Sequence, residues 1–89
     1  MSLGPIGRQM EQKLNDRFAP VELNVIDESS HHAGHSGARP DGESHFKVKI
    51  VADAFAGQSL VQCHRLVNET LANELKERVH ALSISAKAP

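Results

Sequence analysis

At 89 residues the chain is expected to form one domain, 1–89, burying roughly 60 to 65% of its unfolded surface, which sets aside a large internal active-site cavity. Ten basic and eleven acidic side chains leave a formal charge of -1, and six histidines add positive charge as the pH falls below about 6.5, so a pH-responsive surface is expected. No apolar run approaches the ~20 residues of a membrane span, no charged and apolar leader precedes the first helix, and the single Cys63 suits a reducing compartment.

Gly4-Pro5 offers a helix entry, and Ile6, Met10, Leu14 and Phe18 recur every fourth residue, which predicts an amphipathic helix ended by Pro20. Val21, Leu23 and Val25 alternate with Glu22 and Asn24 and predict a first strand with one buried face. The stretch 29–43 is rich in Ser, His and Gly and is expected to be a flexible loop; at this length a loop is usually functional or disordered. Beyond it, Phe46, Val48, Ile50 and Ala52 alternate with His45, Lys47 and Lys49, the clearest strand signal in the chain, and the lysines should face water.

Asp53 to Gly57 predicts a short turn or single helical turn. Ser59 and Gln62 stand at the capping-box spacing, so a long helix should begin at Leu60 and bury the stripe Leu60, His64, Val67, Leu71 and Leu75. Leu82 and Ile84 alternate with Ala81 and Ser83 and predict a third strand, followed by a polar tail over 86–89. Helix, strand, strand, turn, helix, strand is most economically packed as an α+β domain, a three-stranded sheet with the helices on one face and the other face half wet.

Chemistry concentrates on histidine. His80 sits where the second helix hands over to the closing strand, and a compact domain could bring the loop histidines His31, His32 and His35 beside it, supplying a second nitrogen for a shared metal or cluster. The competing reading makes the loop histidines solvated spacers and His80 a strand-end imidazole bonded to a carbonyl. His64, on an apolar stripe, reads as a core histidine. A mononuclear zinc site from His31, His32, His35 and His45 is conceivable, but no CxxC pair or HExxH helix supports it. Enzyme chemistry is not expected: Cys63 and His64 diverge by about 100° on a helix, and neither a P-loop nor a Rossmann fingerprint is present.

The segments Glu43-Ser44-His45-Phe46-Lys47-Val48, Phe55 and Gly57, His64-Arg65-Leu66-Val67, Leu71, Glu74-Leu75 and Val79-His80-Ala81-Leu82 together resemble the BolA family, collinearly from about Ile6 to Ile84. Asp27-Glu28-Ser29 followed by His32 resembles the start of that family's variable loop, which carries a ligand-type His or Cys. The resemblance implies a class II KH-like fold and partnership with a glutathione-bound monothiol glutaredoxin. It further implies a [2Fe-2S] cluster shared with that partner, in iron homeostasis or cluster trafficking, with His80 and His32 as this chain's ligands and His31 and His35 as alternatives. The loop from Ala33 to Gly42 is longer than in typical members and carries the extra His35, Cys63 is not the cysteine that some branches use as a ligand, and the chain stops soon after the third strand.

Imidazole ligation suits such a cluster, because replacing thiolates by histidines lowers the site's negative charge and raises its reduction potential. Two histidines complete only half of the four ligands required, so the glutaredoxin cysteine and the glutathione thiolate would supply the rest, and the isolated chain would carry none. A monomer or weak homodimer is expected alone, in the cytoplasm of a bacterial-type cell or in an organelle matrix.

The rival reading is a KH-like, DNA-binding transcription regulator that contacts phosphates through Lys47, Lys49, Arg65, Lys76 and Arg78. Its electrostatic footprint is thin. Glu69, Glu74 and Glu77 offset the positive charge, three phenylalanines without Trp or Tyr leave few stacking platforms, and Gly34-His35-Ser36-Gly37 lies between strands instead of between helices. Gly57-Gln58-Ser59-Leu60, at the place where a clamping loop is expected, lacks the second glycine.

Overall fold

The computed structural model describes residues 3–28 and 43–89. Pro5 opens helix α1 (Pro5–Phe18), whose inner face carries Gly7, Met10, Leu14 and Phe18, as the four-residue spacing predicts. The helix ends at Ala19 in the left-handed region (φ 44°), where its N–H donates to the Asn15 carbonyl at 3.0 Å. Pro20 then bars continuation.

Strand β1 (Glu22–Asp27) runs antiparallel to β2 (His45–Val51), and β2 runs parallel to β3 (Ala81–Lys87), giving the order β1-β2-β3 with β2 central. The parallel connection passes through a 3-10 turn (Asp53–Phe55), a bend at Gly57 (φ 76°) and the helices α2 (Leu60–Thr70) and α3 (Ala72–Glu77). Both long helices cover one face, α1 over β1 and α2 over β3. The α+β architecture therefore stands as expected. Phe46, Val48 and Ile50 from the central strand meet Met10, Leu14, Val67 and Leu71 in the core, and the tilted rings of Phe18 and Phe55, 5.0 Å apart, close one end. Lys47 and Lys49 are exposed on the other face, with Ser83 and Ser85 beside them on β3.

Four details depart from the sequence-based expectation. Val21 precedes the strand and is 67% exposed; it gives its N–H to the Val51 carbonyl without burying its side chain. Leu60 is 68% exposed, because the inner residues of α2 are Cys63 and Val67, which rotates the buried stripe away from the helix's first residue. The expected single long helix is two, broken at Leu71 (φ -104°, ψ 18°). Just before the break, Thr70 turns its hydroxyl back onto the Leu66 carbonyl at 2.7 Å and also accepts from Arg17 Nη1 at 2.8 Å, a back-bond that bends helices. Finally, β3 runs on to Lys87 with Ala86 buried, so the expected tail over 86–89 shrinks to Ala88 and Pro89. The Lys87 carbonyl accepts from Ala52 N–H, which keeps that end of the strand in the sheet.

Candidate functional site

The site lies at the end of the sheet where β2 and β3 begin. Ser44 is its hub. Its carbonyl accepts from the backbone N–H of both His80 (2.7 Å) and Ala81 (3.1 Å), which fixes where β3 starts relative to β2. Its hydroxyl lies 2.9 Å from His45 Nδ1. The His45 ring is in turn 5.4 Å from the His80 ring, centroid to centroid, with the planes inclined by 51°. His80 itself is exposed.

Both ends of the 29–42 segment are fastened to this place. On the outgoing side Glu28 N–H donates to the His45 carbonyl at 2.7 Å, and on the returning side Glu43 N–H donates to Asp27 Oδ2 at 3.2 Å. Glu43 adopts a left-handed conformation (φ 58°) and is buried, and its Oε2 accepts the Gly7 N–H at 2.9 Å. It thereby satisfies one of the orphan donors in the first turn of α1, whose own N-cap Gly4 has no side chain to do so.

The loop candidates His31, His32 and His35 and the Gly34–Gly37 pattern lie outside the described residues. Three of the four donors of the mononuclear zinc reading are among them, and the fourth, His45, is engaged with Ser44 instead. Among the described residues no group of three or more His, Cys, Asp or Glu could hold a metal ion. An exposed imidazole beside the anchors of a histidine-bearing loop fits a centre whose other ligands come from elsewhere.

His64 is half-buried on α2, and its Nε2 is shut off from water without a hydrogen-bond partner among the described residues, so the single satisfying bond expected of a core histidine is not made there. Cys63 is buried in the core. The cations of the rival reading are divided: Lys47 and Lys49 lie on the open face of the sheet, whereas Arg65 and Lys76 are exposed on the helical side and Arg78 is half-buried. Lys49 also pairs with Glu22 at 3.5 Å.

A family model described as BolA-like protein matches residues 14–89. The chain belongs to that family. The DNA-binding transcriptional regulator BolA of Vibrio cholerae is 51% identical over 75 residues, 84% of this chain and 67% of that protein. SufE-like protein 1, chloroplastic/mitochondrial, from Arabidopsis thaliana is 50% identical over 93 residues, which take in all of this chain but only 25% of that protein. The chain thus spans about a quarter of that relative's length. The solved BolA domain of SufE1 from Arabidopsis thaliana superposes with a TM-score of 0.90 at 51% identity, covering 99% of this chain and 96% of that one.

Within this BolA-like domain, sequence reasoning picked out His80, named His45 only as a zinc donor, and passed over Glu43. His45 alternates with Lys47 and Lys49 and was expected on the wet face, yet it is only 6% exposed. The one local signal was the adjacent serine, whose hydroxyl can bond an imidazole. Glu43 gave no local signal as a cap, because the helix it caps starts far away in the chain. No helix among the described residues is long and apolar enough to cross a membrane.

Proposed function

We propose that this BolA-like domain is an adaptor that binds a glutathione-bound monothiol glutaredoxin and shares a [2Fe-2S] cluster with it. The chain's ligands in this reading are His80 and one loop histidine, His32, with His31 and His35 as alternatives. The observation that carries the reading is the exposed His80 imidazole lying beside both anchored ends of the loop that bears those histidines. His32 follows Glu28 by four positions, so the chain can carry it at most about 14 Å from that anchor.

The cluster would supply a labile, histidine-tuned redox centre. What this chain contributes is a fixed backbone at His80, a second nitrogen on a tethered loop, and a docking surface around the head of β3. A reducing cytoplasm or organelle matrix suits such a role.

The test is anaerobic titration of the protein into cluster-loaded monothiol glutaredoxin with glutathione, followed by visible circular dichroism and size exclusion. The wild type is expected to change the spectrum within a stable 1:1 complex, His80→Ala to abolish the change, and His32→Ala to identify the loop ligand. A wild type that elutes separately and leaves the spectrum untouched overturns the reading.

A second reading is favoured by one observation, the exposed lysines on the open sheet face, together with the name DNA-binding transcriptional regulator borne by a relative. Phosphate contacts there would make nucleic-acid affinity fall steeply with salt, by about 0.7 to 0.9 log units per contact for each tenfold rise. Lys47→Glu with Lys49→Glu should weaken binding and flatten that slope; binding indifferent to the pair would dismiss this reading.

A further inference from the structure

We propose that His45 is a positioning residue for His80: its buried ring, held by the Ser44 hydroxyl, biases the exposed His80 imidazole toward one rotamer before any partner arrives. The inference deepens the cluster-sharing reading and rests on it for its functional meaning. The orientation itself belongs to the isolated protein.

The argument begins with exposure. A solvent-exposed histidine exchanges rotamers within picoseconds to nanoseconds, and a ligand spread over several directions loses affinity to the ordering that binding demands. Ligand histidines are therefore commonly held by neighbouring groups that fix the ring. At His80 the backbone is already fixed by the Ser44 carbonyl, which leaves the two side-chain torsions.

His45 is the described ring placed to limit them. It is 6% exposed, 5.4 Å from the His80 centroid and inclined by 51°, within the range of favourable tilted ring pairs. On the β3 side its cross-strand neighbour is the small Ala81. Ser44 acts twice, once through its carbonyl on the His80 backbone and once through its hydroxyl beside His45 Nδ1, so the two rings are registered to the same residue. The ring is buried although the next two residues on its side of the strand, Lys47 and Lys49, are exposed.

The test uses the full chain without cluster. His80 side-chain couplings and the ring-to-ring proton contacts between His45 and His80 are measured by NMR in the wild type, His45→Phe and His45→Leu. Phe keeps a planar ring; Leu keeps apolar volume without one, and both suit a buried site. The wild type and His45→Phe are expected to favour one His80 rotamer, and His45→Leu to shift the ratio roughly two- to tenfold toward averaging. In the glutaredoxin complex the same shift should appear as faster cluster loss for His45→Leu, with His45→Phe near the wild type.

Equal His80 couplings in all three proteins overturn the proposal, as does a His45→Phe protein that is folded by backbone NMR yet averaged at His80. If the wild type forms no cluster complex, the adaptor reading fails, while the couplings still decide the positioning role.

Discussion

Glu43 caps a helix from far along the chain: the Gly7 N–H that it accepts lies 36 residues before it. Its left-handed backbone costs on the order of 1 kcal/mol for a residue with a Cβ, and that cost is offset by a charge-assisted bond to the Gly7 N–H, worth roughly 1.5 to 3 kcal/mol. Glu43→Ala should therefore lower stability by about 1 to 3 kcal/mol in urea denaturation, with Glu43→Gln, which keeps an acceptor oxygen, less affected. Gly4→Ala should be harmful through the same contact, since a Cβ there would stand 2.5 Å from the Glu43 carboxyl group. None of this was legible locally. A capping box declares itself within four residues, whereas this cap depends on where the returning loop meets α1.

Among the elements, α2 was the most legible at its start and the least legible at its end. Ser59 and Gln62 make the reciprocal cap that their spacing predicts: Ser59 Oγ accepts from Gln62 N–H at 3.1 Å, and Gln62 Oε1 accepts from Ser59 N–H at 2.8 Å. Ser59→Ala should lower the thermal midpoint, corresponding to about 1 kcal/mol. The break at Leu71 was invisible because it uses neither Gly nor Pro. It turns on tertiary contacts, the Arg17 bond to Thr70 and the burial of Leu71 itself.

Glu74 in α3 figures in the sequence reading only as a charge offsetting the basic residues. Instead its Oε2 is held by Lys13 Nζ at 2.7 Å and Gln9 Nε2 at 2.6 Å, tying α1 to α3. Lys13→Met would leave a buried carboxylate short of a counter-charge, and because Lys13 is partly exposed the expected loss is about 2 kcal/mol, below the range for fully buried pairs. A chemical denaturation curve checks it.

At the scale of the whole molecule, sheet, strand alternation and helix side were all readable, because period-two and four-residue patterns report directly which face is dry. The composite site was only half readable, since alternation placed His45 outward and carried no sign that it would be buried. The same geometry brings both proposed functions to one end of one face. Lys47 lies two residues, about 7 Å, beyond His45 on β2. A partner seated over His80 would crowd that lysine, so cluster-loaded glutaredoxin should displace or weaken a bound oligonucleotide, measurable as a fall in fluorescence anisotropy. Simultaneous occupancy at undiminished affinity would separate the two surfaces.

The pairing of Ser44 with His80 and Ala81 also makes chain length a constraint of its own. Inserting or deleting one residue between His80 and Leu82 would force a choice: keep the hydrogen bonds to Ser44 and turn Leu82, Ile84 and Ala86 to the wet face, or keep them buried and lose the His80 alignment. The step from His80 into the strand can thus vary in chemistry but hardly in length, and the histidine's place in the count matters as much as its nitrogen.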